Sequence, residues 1–172
     1  MNPFTTDKHE AFRQRIRAFA EKVIKPEARK LDQEERFSPE LTQKMAREGL
    51  FGIAIPEVYG GQGMDYMSLV IAVEEIARVD GSQAATLTAV NSLGIGPIYN
   101  FGTEQQKQRF LPPITREGKT WAFGLTEREA GSDSGSTHTK AALKDGYWHI
   151  NGSKMFISNS TSDISAGITV QA

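Results

Sequence analysis

The sequence predicts an α+β protein, with an amino-terminal all-α helical domain (residues 1–119) followed by an incomplete antiparallel β domain (residues 120–172). Two observations support this prediction. Apolar residues recur at helical spacing before residue 120, and aromatic and β-branched residues at strand-like spacing become frequent after it. The apolar fraction of 38% is enough to form a core in a chain of 172 residues.

The first predicted helix carries its apolar residues at spacings of four, three and four, on one face: Phe12, Ile16, Phe19 and Val23. Asp7 and Glu10 resemble a capping box at its start, and Pro26 is expected to end or bend it.

Four further helices are identified along the sequence, and the helical layer as a whole is expected to contain about five or six. Ser38-Pro39 begins one of them, with Leu41 and Met45 as its buried residues, and Gly49 ends it. Another covers residues 66–79. The next, 83–93, has no polar face, which predicts a buried helix.

The last helix of this domain is predicted from a capping signal at its start and a helix-breaking signal at its end. Thr103 and Gln106 form a capping box in the sequence, and Pro112-Pro113 is expected to terminate the helix.

Strand signals begin at residue 121 with the segment 121–126. Residues 140–143 and 147–150 flank Asp145-Gly146, which predicts a hairpin with a two-residue turn. Asn151-Gly152 predicts a second turn, followed by a strand at 155–158, and another strand begins at residue 168. These strands have no visible closing partner, so we expect exposed edges and a truncated domain that is marginal or prone to aggregation alone.

Charge and composition exclude several classes of function. With 20 basic and 21 acidic residues, the net charge of -1 favours neither nucleic acid nor an anionic membrane surface as a partner. The absence of cysteine excludes disulfides and thiolate sites, and His9, His138 and His149 lack metal-ligand spacing. Acidic residues near the amino terminus argue against a transit peptide, so we expect a cytoplasmic protein.

A glycine-rich segment contains Gly60, Gly61 and Gly63. Its spacing fits neither a Walker loop nor a dinucleotide fingerprint, so a plain turn is favoured over a phosphate cradle.

The segment GLTEREAGSD, residues 124–133, directly follows a predicted strand. Gly131 has no Cβ, so an anion could approach its N–H closely, and Ser132 adds a hydroxyl donor. Such a loop suits a pyrophosphate at one end and a polar ring edge at the other. Glu127, Glu129 and Asp133 should point elsewhere, because a carboxylate repels a phosphate.

A second segment, GSKMFISN, follows about twenty residues later at 152–159. On a strand, Phe156 and Ser158 would share a face. That face could stack a ring on a flat heterocycle and donate a hydrogen bond to its edge.

Together the two segments strongly resemble the acyl-CoA dehydrogenase family, whose flavin signature matches 124–136 and whose aromatic-Ile-Thr/Ser-Asn strand matches 156–159. The resemblance extends to the helical region, at Gly60-Gly61-Gly63, Glu74-Glu75-Ile76-Ala77, Asn91-Ser92-Leu93-Gly94 and Gly102-Thr103-Glu104-Gln105-Gln106-Lys107. It implies a barrel-like middle β domain, FAD as cofactor and an acyl-CoA thioester as substrate. It implies these FAD contacts: Phe123, Leu125, Thr126, Gly131, Ser132, Phe156, Ile157 and Ser158.

Within that implied set, Thr126 would bind the isoalloxazine edge, and Gly131 with Ser132 would lie by the pyrophosphate. Ser132 would also contact the CoA arm, and Ser158 would donate near the reactive nitrogen. Arg128 and Glu129 depart from the proline and small residue usual in the family, which could loosen the loop. Phe156 stands where many members have tryptophan.

The resemblance implies α,β-dehydrogenation by a glutamate base in a third, carboxy-terminal helical domain, which we expect to lie beyond Ala172. No catalytic residue is therefore nominated, and Glu74 and Glu75 are interpreted as a solvated helix face. The full-length enzyme is expected to be a homotetramer or dimer in fatty acid metabolism, with electron-transfer flavoprotein as electron acceptor.

Three alternatives remain open. The chain could be a non-catalytic half-protein that binds FAD or a CoA thioester. It could be an oxidase-like or monooxygenase flavoenzyme of the same superfamily. It could also be an unrelated α+β module that binds a phosphate on its Gly/Ser loop.

Small residues at Ala85 and Ala89 would permit a bulkier acyl tail, although helix packing explains them equally well.

Overall fold

The computed structural model describes residues 4–172 and confirms the α+β class. Its helices are α1 (Asp7–Phe19), α2 (Lys25–Gln33), α3 (Pro39–Arg47), α4 (Tyr66–Ala77), α5 (Gly81–Ala89), α6 (Ile95–Phe101) and α7 (Glu104–Thr115). Its strands are β1 (Thr120–Gly124), β2 (Lys140–Lys144), β3 (Tyr147–Asn151) and β4 (Ser165–Val170). No helix in this described part is long and apolar enough to cross a membrane.

Two π-helical turns join helices into longer rods. Ala20–Ile24 connects α1 to α2, and Val90–Gly94 connects α5 to α6. The seven α-helices therefore form five continuous rods, in agreement with the five or six predicted from the sequence. Pro26 does not end the first rod, because it lies in the first turn of α2, where the preceding π turn accommodates its missing N–H.

The helix ends follow local chemistry with small departures from prediction. The capping box of α1 is formed by Thr6 and His9, so the predicted pair Asp7 and Glu10 is wrong by one residue. Ser38 caps α3 as predicted, and Gly49, with a φ of 80°, ends it. The proline pair at 112–113 lies inside α7, which continues to Thr115.

The core lies within the helical layer and reaches β1 through Trp121. Leu41 and Met45 of α3 are buried, as predicted. The Trp121 ring packs on Phe110 at a centroid distance of 5.5 Å, and its indole N–H donates to Thr169 Oγ1 at 3.0 Å. Trp121 therefore fastens the first strand to the helices on one side and to β4 on the other.

Glu75 of α4 is fully buried, which overturns the interpretation of this position as a solvated helix face. Arg17 forms a fork with its carboxylate, Nε at 2.8 Å and Nη2 at 2.9 Å. Arg13 donates to it at 2.9 Å and Arg78 at 3.1 Å. Glu74, by contrast, is largely exposed and contacts Arg13. The buried carboxylate thus connects α1 to α4 and holds three guanidinium groups.

The glycine-rich segment is a plain turn, as predicted. The amides of Gly60, Gly61 and Gly63 donate to the carbonyls of Glu57, Pro56 and Ile55, so none is left for a phosphate. Asn91, on the second π turn, supports the same loop. Its Oδ1 accepts from the amide of Gly52 at 3.0 Å and its Nδ2 donates to Leu50 O at 2.9 Å.

The strands form two separate two-stranded sheets, and no closed barrel is present among residues 4–172. The antiparallel hairpin of β2 and β3 is confirmed, with Asp145 and Gly146 both at positive φ in its two-residue turn. β1 instead pairs in parallel with β4. The predicted strand at 155–158 is wrong, and the predicted hairpin after Asn151-Gly152 does not form, because Phe156 has a φ of 60°.

We expect acid to destabilise the fold. Asp65, Glu75 and Glu127 each have a pKa of about 2, below the ordinary 3.8 for Asp65 and 4.5 for the glutamates. The main causes are the Ser68 N–H on Asp65, Arg17 on Glu75 and Lys154 on Glu127. As the pH falls, the unfolded chain takes up protons first, so these contributions are present above about pH 4.5 and are lost toward about pH 2.

Urea unfolding at stepwise lower pH measures this effect as a decline in the free energy of unfolding. Glu75→Gln, which removes one of the three titrating groups, should reduce the slope. A free energy that stays constant between about pH 5 and about pH 3 would contradict the expectation.

Candidate functional site

A cleft of about 800 Å³ opens between α5 and the loops that follow β1 and β3. It is lined by Phe37, Ser82, Ala85, Thr86, Ala89, Leu93, Trp121, Phe123, Leu125, Thr126, Phe156, Ile157, Ser158, Asn159, Thr161 and Ser162. None of these side chains is charged. The cleft therefore offers hydroxyl, amide and apolar groups rather than a fixed charge.

The cleft brings together both of the segments that the sequence singled out. Its lining includes six of the eight predicted cofactor contacts: Phe123, Leu125, Thr126, Phe156, Ile157 and Ser158. The other two, Gly131 and Ser132, lie outside the lining on an exposed turn. The predicted contacts therefore fall into two groups: six that line the cleft, and two on a turn that is open to solvent.

Direct hydrogen bonds hold the two segments against each other. The Met155 N–H donates to the Thr126 carbonyl at 2.9 Å. The Lys154 ammonium donates to the Leu125 carbonyl at 2.9 Å and to Glu127 Oε1 at 2.8 Å. The side chains of Lys154 and Glu127 are 9% and 7% exposed, so this ion pair is almost wholly removed from water.

Glu127 turns away from the cleft, as its negative charge predicted. Its carboxylate accepts from the amides of His138 at 2.7 Å and Thr139 at 2.9 Å, and also from the Thr139 hydroxyl. Lys154 is the largest cause of its low pKa of about 2, and these donors add to the effect. Glu127 is therefore an anion that connects three loop segments beneath the cleft.

Phe156 holds an uncommon backbone conformation for an aromatic residue. Its φ is 60°, and its side chain is 85% exposed although it borders the cleft. A bulky residue in the left-handed region costs about 1 kcal/mol or more, and such strain clusters at ligand-binding positions. The strained backbone therefore presents a bare ring at the mouth of the cleft.

Several polar groups that border the cleft have no partner within residues 4–172. The Thr126 N–H and hydroxyl make no hydrogen bond there, and neither does the Ser158 hydroxyl. The Thr126 carbonyl, by contrast, is engaged by Met155. The free groups are thus mainly donors, which matches a ligand whose edge carries acceptors.

The turn after Thr126 is closed by its own backbone. The Glu127 amide donates to the Ala130 carbonyl at 2.9 Å, and the Ala130 amide returns a longer bond at 3.4 Å. Arg128 and Glu129 project into solvent. The amides of Gly131 and Ser132 have no partner in the described part of the chain, and the space around Gly131 Cα is open.

Helix α5 forms the opposite side of the cleft. Its buried face contains Gln83, Ala84 and Leu87, whereas Ala85 and Ala89 face the cleft. The predicted buried helix is therefore buried on one side only, and its small residues widen the space on the other. A second cavity of about 750 Å³ adjoins at Phe37 and Ser82.

No cluster of three or more His, Asp or Glu side chains suited to a metal ion occurs among residues 4–172. His9 instead pairs with Asp65 at 2.9 Å.

Two family models match the chain. Residues 6–118 match the acyl-CoA dehydrogenase N-terminal domain, and residues 122–172 match the acyl-CoA dehydrogenase middle domain. The chain belongs to the acyl-CoA dehydrogenase family. Among acyl-CoA dehydrogenases, the short-chain-specific enzyme of Clostridium acetobutylicum is 45% identical over 154 residues, which is 90% of this chain and 41% of that protein. The chain therefore spans less than half the length of this relative.

Solved acyl-CoA dehydrogenase structures superimpose on the chain closely. Butyryl-CoA dehydrogenase from Megasphaera elsdenii matches with a TM-score of 0.87 at 39% identity, over 93% of this chain and 43% of that one. An acyl-CoA dehydrogenase from Bacillus anthracis, solved in complex with FAD, matches with a TM-score of 0.89 at 32% identity, over 99% of this chain and 30% of that one.

Lys154 is the site residue that sequence reasoning missed. The sequence pattern at 152–159 assigns roles to Phe156 and Ser158 and predicts none for the lysine. The available signal was one cation placed two residues before the aromatic ring, with Glu127 as an anion whose destination was unassigned. A predicted ion pair between Lys154 and Glu127 would have placed the ammonium group beside the loop that follows β1.

Proposed function

We propose that this chain provides part of the flavin and thioester site of an FAD-dependent acyl-CoA dehydrogenase, which oxidises the α,β bond of an acyl-CoA. The observation that carries the proposal is the meeting of Thr126 with Phe156 and Ser158 at one uncharged cleft beside α5. Membership of the family supports FAD as the cofactor, and a relative that acts on short acyl chains supports the thioester.

The residues present fit a flavin. Unpartnered donors on Thr126 and Ser158 suit the acceptor atoms along the edge of an isoalloxazine ring. The exposed ring of Phe156 suits a flat heterocycle, and the open amides of Gly131 and Ser132 suit a pyrophosphate. The cleft volume of about 800 Å³ is within the usual range for a cofactor site.

When bound, FAD supplies a hydride acceptor. The residues of this chain would orient the flavin and the thioester and would exclude water from them. Phe156 and Leu125 would cover apolar ring surface, while Thr126 and Ser158 would donate to positions where reduction builds negative charge. Ala85 and Ala89 would border the acyl tail, and Ser132 would contact the CoA arm as well as the pyrophosphate.

Binding without turnover is the expected behaviour of the 172-residue chain itself. Abstraction of the α-proton requires a base, and no carboxylate, histidine or lysine lines the cleft within residues 4–172. The electron acceptor in a complete enzyme would be electron-transfer flavoprotein, and the assembly would be a homotetramer or dimer in the cytoplasm.

Titration of the purified chain with FAD, followed by addition of butyryl-CoA, tests both parts of the proposal. We expect quenching of flavin fluorescence on binding and no bleaching of the flavin absorbance by the thioester. Failure to bind FAD at any accessible concentration would overturn the cofactor assignment. Steady bleaching would show that a base acts within this chain, and would contradict the prediction of binding alone.

Replacing Phe156 by alanine should weaken FAD binding without harming the apo fold. Loss of an aromatic stacking partner is expected to raise the Kd for FAD by about threefold to tenfold. The exposed ring contributes little to the core, so the free energy of unfolding should change by less than about 0.5 kcal/mol. Fluorescence titration and urea unfolding measure the two quantities.

Phe101→Ala is the matched control, because Phe101 is 86% exposed but lies at another cavity, near Phe110. It should leave FAD affinity unchanged. An equal loss of affinity in the two variants, or none in Phe156→Ala, would show that the Phe156 ring does not contact the flavin.

A further inference from the structure

Lys154 contacts the backbone that follows β1, at a residue that borders the cleft. It is absent from the cleft lining, yet its ammonium group lies 2.9 Å from the carbonyl oxygen of Leu125, a residue that borders the cleft. Its side chain is 9% exposed, so water competes little for these hydrogen bonds. A buried ammonium group on a main-chain carbonyl can fix the orientation of that peptide unit.

The orientation of that peptide determines where the Thr126 N–H points. The Leu125 carbonyl and the Thr126 N–H belong to one trans peptide, in which the C=O and N–H bonds point in opposite directions. The ammonium group that holds the carbonyl is not part of the cleft lining, whereas Thr126 is. The opposite end of the same peptide, the Thr126 N–H, is therefore the end available to the cleft, and it has no partner among residues 4–172.

The rest of the cluster keeps Lys154 in place. Glu127 Oε1 lies 2.8 Å from the ammonium nitrogen, and the carboxylate is itself held by His138 and Thr139. Gly152 permits this close packing, because a Cβ there would lie within 2.7 Å of the Thr139 Cα. The cluster therefore gives the lysine a fixed position relative to the strand end.

We propose that Lys154 is a positioning residue of the cofactor site, which holds the Leu125 carbonyl and so aims the Thr126 N–H at the flavin ring edge. This inference rests on the proposed function, since it assigns a task to Lys154 only if a flavin occupies the cleft. Lys154 does not touch the flavin itself. Its effect passes through one peptide group.

Lys154→Met tests the proposal by removing the donor while keeping much of the side-chain volume. In the 172-residue chain we expect the Kd for FAD to rise about tenfold or more, as for loss of a charge-assisted hydrogen bond. The absorption bands of the bound flavin should also move toward those of free flavin, because an edge donor is misdirected. Lys154→Arg keeps a charged donor and should restore the affinity to within about threefold of the original chain.

Two further variants separate positioning from stability. Glu127→Gln removes the charge of the partner but keeps an amide oxygen that can accept from Lys154 and hold it at the Leu125 carbonyl, so it should lower the midpoint of urea unfolding more than it alters the flavin spectrum. Lys140→Met, at an exposed position on β2, should change neither measurement. All titrations are made at a low temperature where circular dichroism shows each variant folded.

The outcomes distinguish the two proposals. If the original chain binds no FAD, the proposed function itself is wrong. If it binds FAD and folded Lys154→Met retains the same Kd and spectrum, the positioning role is overturned. Should Lys154→Met fail to fold, Lys154→Arg decides, since original affinity and spectrum support the role and a loss of about tenfold or more refutes it.

Discussion

Glu75→Ala should reduce the free energy of unfolding by about 3 to 5 kcal/mol, as expected when one partner of a buried ion cluster is removed. The carboxylate is fully buried and accepts hydrogen bonds from Arg13, Arg17 and Arg78. Its removal takes the shared counter-charge from the three arginines, although Arg13 and Arg78 each keep another carboxylate contact, and it opens a cavity between α1 and α4. Partial exposure of Arg17 and Arg78 allows them to regain water, which favours the lower end of this range.

Glu74→Ala is the matched control, since it lies one residue earlier on the same helix with a largely exposed side chain. Its exposed contact with Arg13 should contribute less than about 1 kcal/mol. Urea unfolding followed by far-ultraviolet circular dichroism compares the two variants directly. Equal losses would mean that the buried cluster adds nothing beyond an ordinary surface ion pair.

Gly61→Ala should destabilise the fold by at least about 2 kcal/mol, because the added methyl group has no room. A Cβ at this position would lie 2.6 Å from the Cβ of Ile55 and closer still to the Ile55 carbonyl oxygen. A backbone oxygen cannot rotate away as a flexible side chain can. The loop would have to shift, and with it the contacts that Asn91 makes to Gly52.

The contrasting substitution is Gly81→Ala in α5, where a Cβ would meet nothing within 4 Å and the next residue is not proline. Alanine favours a helix over glycine, so this variant should gain about 0.5 to 1 kcal/mol. Thermal unfolding of the pair gives opposite shifts in Tm. A Gly61→Ala protein as stable as the original would show that the 52–64 loop tolerates rearrangement.

The fold was predictable where local chemistry decides it. Helix α3 begins after Ser38 and ends before Gly49, as predicted. The Asp145-Gly146 turn sets the register of the hairpin. The strand predicted at 155–158 failed because alternation of side chains assumes an extended backbone, whereas Phe156 adopts positive φ. The parallel pairing of β1 with β4 could not be read locally, since it joins strands separated by the whole hairpin.

The candidate site was predictable as a set of residue types but not as an arrangement. Thr126 and Phe156 could be singled out because hydroxyl and aromatic groups beside a Gly/Ser turn suit a flavin. Their relative placement depends on Lys154 and Glu127, whose pairing crosses loops distant in sequence. The burial of Glu75 was likewise hidden, because it depends on arginines carried by another helix.

The way β1 joins the rest of the molecule also sets an order of assembly. Each single helix and the β2–β3 hairpin can form from contacts between chain neighbours, whereas the β1–β4 ladder must first close a long loop. Trp121 reaches its hydrogen bond to Thr169 only when that ladder forms. In a Trp148→Phe variant, where Trp121 is the remaining tryptophan, helical ellipticity should therefore return before the tryptophan emission during refolding, and the cleft would be among the last features to take shape.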